Sequence, residues 1–132
     1  MEFGFDHIHF VCADVKAFAE YFQDIFDAEI VRYDEDFKGS PNAAVKIGRL
    51  MIFARGIRPE ETPDSVEPEL VQGLDHFGFG VPDVEAAVEW LRDKGAEIMM
   101  EPVRRGIGGR MIAYVRGPGN VRIELCENPA AL

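Results

Sequence analysis

The chain has 132 residues, 47% of them apolar and 29% charged, which suits one globular domain with a hydrophobic core and no need of disulfides. A formal net charge of −10 opposes nucleic-acid partners and anionic membrane surfaces, because phosphate binding needs a basic face. No apolar run approaches bilayer length, and residues 1–12 lack the basic start and long apolar stretch of a secretory signal, so the expectation is a cytoplasmic protein. Cys12 and Cys126 lie in strand-like apolar stretches outside any zinc-ligand spacing and read as reduced thiols of the core.

The first predicted strand, residues 5–12, places Ile8, Phe10 and Cys12 on one face and His7, His9 and Val11 on the other. Asp14 is suited to cap a following helix whose Val15, Phe18, Ala19, Phe22, Ile25 and Phe26 share a face. A second strand is expected over residues 28–33 and a loop over 34–42. Strands 43–47 and 50–54 then turn around Gly48-Arg49. Residues 56–72 carry three prolines among five acidic side chains and read as a linker.

The same order then returns. Residues 74–81 predict a strand, and Asp83 a cap. A helix follows with Val84, Ala87, Val88 and Leu91 inward, and Gly95 is suited to its left-handed end. Residues 96–100 predict a strand and 101–109 a loop. The closing pair 111–115 and 121–126 turns at Gly117-Pro118-Gly119-Asn120. At a fixed offset of 69, residues 4–24 and 73–93 agree at nine of twenty-one positions, among them Asp6/Asp75, His7/His76 and Asp14/Asp83. That level of agreement without a gap marks an internal duplication. The predicted organisation is a single domain, 1–132, made of module one (1–55), the linker (56–72) and module two (73–132).

On the last strand Val121, Ile123 and Leu125 share a face, leaving Arg122, Glu124 and Cys126 on the other. A carboxylate in an apolar strand costs roughly several kcal/mol to bury unless a cation or strong donors meet it. His7 and His76 stand at equivalent positions of the two copies. Two imidazoles and Glu124 would make a three-ligand set with open positions for one divalent ion: Zn, Ni, Mn or Fe. Hydrogen-bonded strand histidines are the alternative. Gly78 and Gly80, on the His76 face, leave room for a ligand or for close backbone packing.

Asp6-His7-Ile8, Leu74-Asp75-His76-Phe77 and the run from Ala113 to Leu125 resemble the vicinal oxygen chelate superfamily over nearly the whole chain. Glyoxalase I, methylmalonyl-CoA epimerase, extradiol dioxygenases and bleomycin- or fosfomycin-resistance proteins belong to that family. The resemblance implies an α+β fold of two βαβββ modules forming a cupped mixed β-sheet, with His7, His76 and Glu124 as metal ligands. It further implies a small-molecule substrate and a homodimer.

Three functions are compatible with it. The first is a glyoxalase- or epimerase-like lyase or isomerase acting through a metal-stabilised enolate. The second is an extradiol-type Fe(II) dioxygenase, and the third a non-catalytic binding or resistance protein. The Glu or Gln that glyoxalase I and the epimerase carry on the last strand of module one is absent from Leu50–Ala54. Tyr114 lies ten residues before Glu124, as the catalytic tyrosine of extradiol enzymes does. The histidine expected shortly before it is replaced by Gly106, Ile107 and Gly108, and the signature's Asp-Pro step reads Gly117-Pro118. The candidate catalytic residues are Glu124, Tyr114 and His9, the last as a general base or a group supporting the metal ligands, with a structural role or a place in the substrate wall as the alternative. Arg104, Arg105 and Arg110, in a Gly-rich stretch, are candidates to clamp a substrate carboxylate or phosphate, with a solvated loop as the alternative.

Overall fold

The computed structural model describes residues 1–2, 4–63 and 73–130. It comprises two compact units, Met1–Asp64 and Ser65–Leu132. Unit one holds β1 (His7–Val11), α1 (Val15–Phe26), β2 (Glu29–Phe37), β3 (Ser40–Ile47) and β4 (Leu50–Arg55). Unit two holds β5 (Phe77–Val81), α2 (Val84–Asp93), β6 (Ile98–Arg104), β7 (Met111–Arg116) and β8 (Arg122–Glu127). The two sheets have the same order, β1-β4-β3-β2 and β5-β8-β7-β6. In each, the first strand lies parallel to the last and the other pairs are antiparallel. This is the βαβββ unit expected from the duplication, formed twice, and the class is α+β.

Local chemistry explains why each helix starts where it does. The Asp14 carboxylate accepts from the Ala17 amide at 2.9 Å, and Asp83 accepts from Ala86 at 3.0 Å. Each cap satisfies an amide that the first helical turn leaves without an internal partner, and contributes about 1 kcal/mol. Val15, Phe18, Ala19, Phe22 and Ile25 of α1 are buried, as are Val84, Val88 and Leu91 of α2. They cover one face of each sheet. That face is built from Ala43, Val45, Ile52 and Ala54 in unit one and Ala113, Val115, Ile123 and Leu125 in unit two. The opposite faces carry His9 and Phe53 in unit one and Tyr114 and Glu124 in unit two.

Two expected loops, 34–42 and 101–109, are strand in part. Residues 34–42 form the end of β2 and the start of β3, joined by a two-residue turn at Lys38 and Gly39, both at positive φ (54° and 87°). Asp34, Glu35 and Asp36 resemble a loop in composition, yet β2 is an edge strand, where charged side chains can project into water. Likewise β6 runs on to Arg104 through Pro102. A proline fits there because β6 is also an edge strand and its register shifts between Met100 and Val103. Gly95, just past α2, has φ +88° and takes the left-handed conformation expected of it.

The expected linker, 56–72, lies partly outside the described residues. Its described part is fastened by Glu61, whose carboxylate accepts from Arg55 Nη1 at 2.6 Å and from the Arg58 amide at 3.0 Å. Cys12 and Cys126 are free thiols, and burial pushes Cys12 up to about 11, so it is held as the unreactive thiol. Among the described residues no helix is long and apolar enough to cross a membrane.

Candidate metal centre

In unit two the strand pairings bring three of the candidates together on the sheet face away from α2. Tyr114 on β7 stands opposite Glu124 on β8, and Glu124 stands opposite Gly78 on β5. His76 immediately precedes β5. Its Nε2 lies 3.4 Å from Glu124 Oε2, with the two side chains 30% and 19% exposed. Its Nδ1 donates to Asp75 Oδ2 at 2.6 Å when protonated there, which leaves Nε2 with a free lone pair turned toward the carboxylate.

Gly78 creates the room. A Cβ at that position would stand 3.4 Å from the Cβ, backbone oxygen and Oε2 of Glu124. Alanine would sit at the limit of ordinary contact, and any larger side chain would push the carboxylate away from His76.

Tyr114 packs edge-on against His76, with ring centroids 5.2 Å apart at 81°. Burial and the nearby Glu124 charge raise its phenol above the usual range, so at neutral pH it remains a hydrogen-bond donor. Arg122 lies over the other side of the cluster. Its guanidinium carbon is 5.0 Å from the Tyr114 ring centroid, and its Nη1 donates to Asp75 Oδ1 at 3.1 Å. The Arg122 Nε is buried without an acceptor among the described residues.

Unit one repeats the backbone and changes the chemistry. His7 Nδ1 is 2.6 Å from Asp6 Oδ2, as in unit two. The strand position corresponding to Glu124 is Phe53, paired with His9 on β1. The Phe53 ring is 4.5 Å from His7 and 5.9 Å from His9. His9 is therefore part of an aromatic wall on the His7 face. Burial, followed by the neighbouring His7 and Arg55 charges, lowers its basicity.

The three arginine candidates differ in engagement. Arg104 donates to Glu127 Oε2 at 3.0 Å and to the Gly109 carbonyl at 3.1 Å, which anchors the end of β6. Arg110 donates from Nε to the Ile107 carbonyl at 3.2 Å. Arg105 rests its guanidinium 3.0 Å from the Met100 sulfur, a weak acceptor, and Met100 is the β6 partner of Tyr114.

Among the described residues no group of three or more His, Cys, Asp or Glu side chains is gathered closely enough to hold a metal ion. What unit two presents is a two-donor edge, His76 and Glu124. An imidazole with its far nitrogen anchored on a carboxylate, facing a half-buried carboxylate, fits a divalent ion of borderline softness. The sequence did not single out Asp75 and Arg122 for a role. The repeated Asp-His step and the shared face of Arg122 and Glu124 were the available signals.

The sequence model of the Glyoxalase/Bleomycin resistance protein/Dioxygenase superfamily matches residues 4–125. A probable lactoylglutathione lyase of Synechocystis sp. is 34% identical over 59 residues, covering 45% of this chain and 45% of that protein. The match thus spans under half the length of that curated relative. Among solved structures, a glyoxalase family protein from Enterococcus faecalis superposes with a TM-score of 0.78 at 18% identity, over 94% of this chain and 97% of that one. A fosfomycin resistance protein, FosX, from Listeria monocytogenes, solved with Mn(II) and a phosphonic acid, gives 0.70 at 22% identity, over 97% and 92%. At such identities the structures speak for the fold. Matched over nearly its whole length by the sequence model, and folded as these proteins are, the chain belongs to the glyoxalase/bleomycin resistance protein/dioxygenase superfamily.

Proposed function

We propose that this protein is a divalent-metal-dependent lyase or isomerase of the glyoxalase and epimerase kind, acting on a small oxygenated metabolite. The observation that carries the reading is the His76–Glu124 edge, cleared by Gly78 and anchored by Asp75. His76 and Glu124 hold the ion in this proposal. His7 is the third donor on the sequence symmetry alone, with its Nδ1 likewise bound to Asp6. The bound ion supplies Lewis acidity, which lowers the cost of removing a proton beside a carbonyl.

The chain's own groups do the rest. Tyr114, kept protonated, donates to a substrate oxygen. His9 is the candidate proton acceptor. Arg105, resting on a thioether, is the candidate most readily transferred to a substrate carboxylate or phosphate. Lyase chemistry is also supported by the name of the Synechocystis relative.

The test is solvent-deuterium exchange. Metal-loaded protein is expected to wash deuterium into the carbon next to the carbonyl of α-hydroxycarbonyl or thioester substrates, and Tyr114→Phe to slow that exchange roughly 10²-fold. Absence of exchange across both substrate classes would overturn the proton-abstraction reading.

Ring-cleaving oxygenation is the second reading, favoured by one observation: Tyr114 stands edge-on to His76 and directly opposite Glu124. Oxygen uptake with catechols after anaerobic Fe(II) loading would establish it in place of the first.

A further inference from the structure

The two modules give their histidines the same immediate neighbour and different backing. His7 and His76 each meet the preceding aspartate at 2.6 Å through Nδ1. Behind Asp6 the described residues supply no cation, and its side chain is 86% exposed. Behind Asp75 stands Arg122, whose Nη1 holds the second carboxylate oxygen at 3.1 Å. The same guanidinium lies over Tyr114, and Tyr114 packs edge-on against His76. One cation therefore touches two of the three groups that touch His76, the third being Glu124. It projects from β8, a strand paired on both sides, two residues before Glu124 and on the same face.

We propose that Arg122 is a positioning residue that locks His76 in one tautomer and orientation, with the proton on Nδ1 and Nε2 turned to Glu124, while the tautomer of His7, whose Asp6 has no cation behind it among the described residues, is not fixed in this way. The physical basis is the fixing of Asp75. An exposed aspartate beside a histidine has other rotamers and water to bond with, so its hold on Nδ1–H is intermittent. With its second oxygen on a guanidinium, the carboxylate stays in the plane of the imidazole. A carboxylate faces each ring nitrogen, Asp75 at 2.6 Å from Nδ1 and Glu124 at 3.4 Å from Nε2, so the shorter contact takes the proton and the longer one is left to the lone pair. The stack over Tyr114 closes the remaining direction in which the Arg122 side chain could swing. The metal consequence rests on the proposed function above; the tautomer consequence does not.

Nitrogen-15 NMR of the imidazoles in the full-length, metal-free chain, at a pH where both rings are neutral, reads this directly. Wild-type His76 is expected to show a single Nδ1–H tautomer and His7 an averaged pair. Arg122→Met keeps the apolar stem and removes the charge, and should average the His76 signals while leaving those of His7 unchanged. Arg122→Lys, which can restore the ion pair, should recover most of the wild-type pattern. Zinc or nickel affinity should fall roughly tenfold in R122M and return in R122K. An unchanged His76 tautomer in R122M, with His7 signals intact as the sign of a native fold, would overturn the proposal. Should R122M fail to fold, Asp75→Asn carries the same test, with His76 averaging expected and an unaltered tautomer contradicting it. A wild type that binds no metal while its His76 tautomer still depends on Arg122 would uphold the positioning role and defeat only the metalloenzyme reading.

Discussion

Replacing Glu124 by glutamine is expected to lower divalent-metal affinity by more than the roughly 10- to 100-fold that outer hydrogen-bond partners command, and to abolish turnover with it. The substitution preserves shape. Glutamine fills the same space beside Gly78, and only the charge facing His76 Nε2 is lost. Stability should therefore change by less than about 1 kcal/mol, since a partly exposed electrostatic contact contributes little to folding. Isothermal titration with Mn, Ni or Zn gives the first quantity and thermal unfolding the second. A variant that binds metal as the wild type does would remove Glu124 from the donor set. A variant that unfolds easily would assign it a structural role instead.

The largest effect on folding is expected at Phe22. This side chain is fully buried, and its ring lies 5.2 Å from Phe18, 5.3 Å from Tyr21 and 5.8 Å from Phe26. Truncation to alanine removes the centre of that aromatic row from beneath the sheet. A loss of about 3–5 kcal/mol is expected, the usual cost of emptying a large aromatic site in a core. Among the described residues α2 buries no such row, only Val84, Val88 and Leu91. Urea unfolding of Phe22→Ala measures the loss, and a cost below about 1 kcal/mol would mean that the helix repacks. The duplicated fold is thus stabilised differently in its two copies, with aromatic stacking in one and aliphatic packing in the other.

How far the sequence discloses this protein depends on the range of the interaction involved. The duplication is legible because it is a matter of identity at a constant offset, and the helices because their caps and apolar faces are local. The Tyr114–Glu124 pairing is legible in principle. The connection between the paired residues 116 and 122 runs over 117–121, one residue longer than the expected turn, and 114 and 124 are evenly spaced about it. The parallel pairing of β5 with β8 is another matter. It sets Gly78 against Glu124 and brings Arg122 to Asp75, 47 residues away, and no local pattern fixes it. The acidic end of β2 departs from the expected loop for a related reason. Its composition suits a loop, and only the knowledge that the strand lies at a sheet edge makes those charges compatible with a ladder. Phe53 shows the same limit in the candidate site: the sequence reveals that Leu50–Ala54 has no Glu or Gln, and the register reveals that an aromatic ring stands there against His7.

The two copies have accordingly kept one backbone and divided the chemistry. Unit two presents His76, Glu124, Tyr114 and Arg122 around a cleared glycine. Unit one presents His7 and His9 against Phe53. An arrangement that set a carboxylate in both copies would be symmetric and more highly charged. Here the repeated Asp-His step is retained while the last strand differs, which leaves His9, on the aromatic side, as the candidate proton acceptor.

Metal stoichiometry tests the central claim most directly. The full chain, stripped with a chelator and dialysed separately against Mn(II), Ni(II), Zn(II) and anaerobic Fe(II), is expected to retain about one ion per chain of at least one of them, as the proposed function requires. Glu124→Gln and His76→Ala, treated in the same way, are expected to retain none. Wild-type protein that takes up none of the four, or variants that bind as well as the wild type does, would contradict the account.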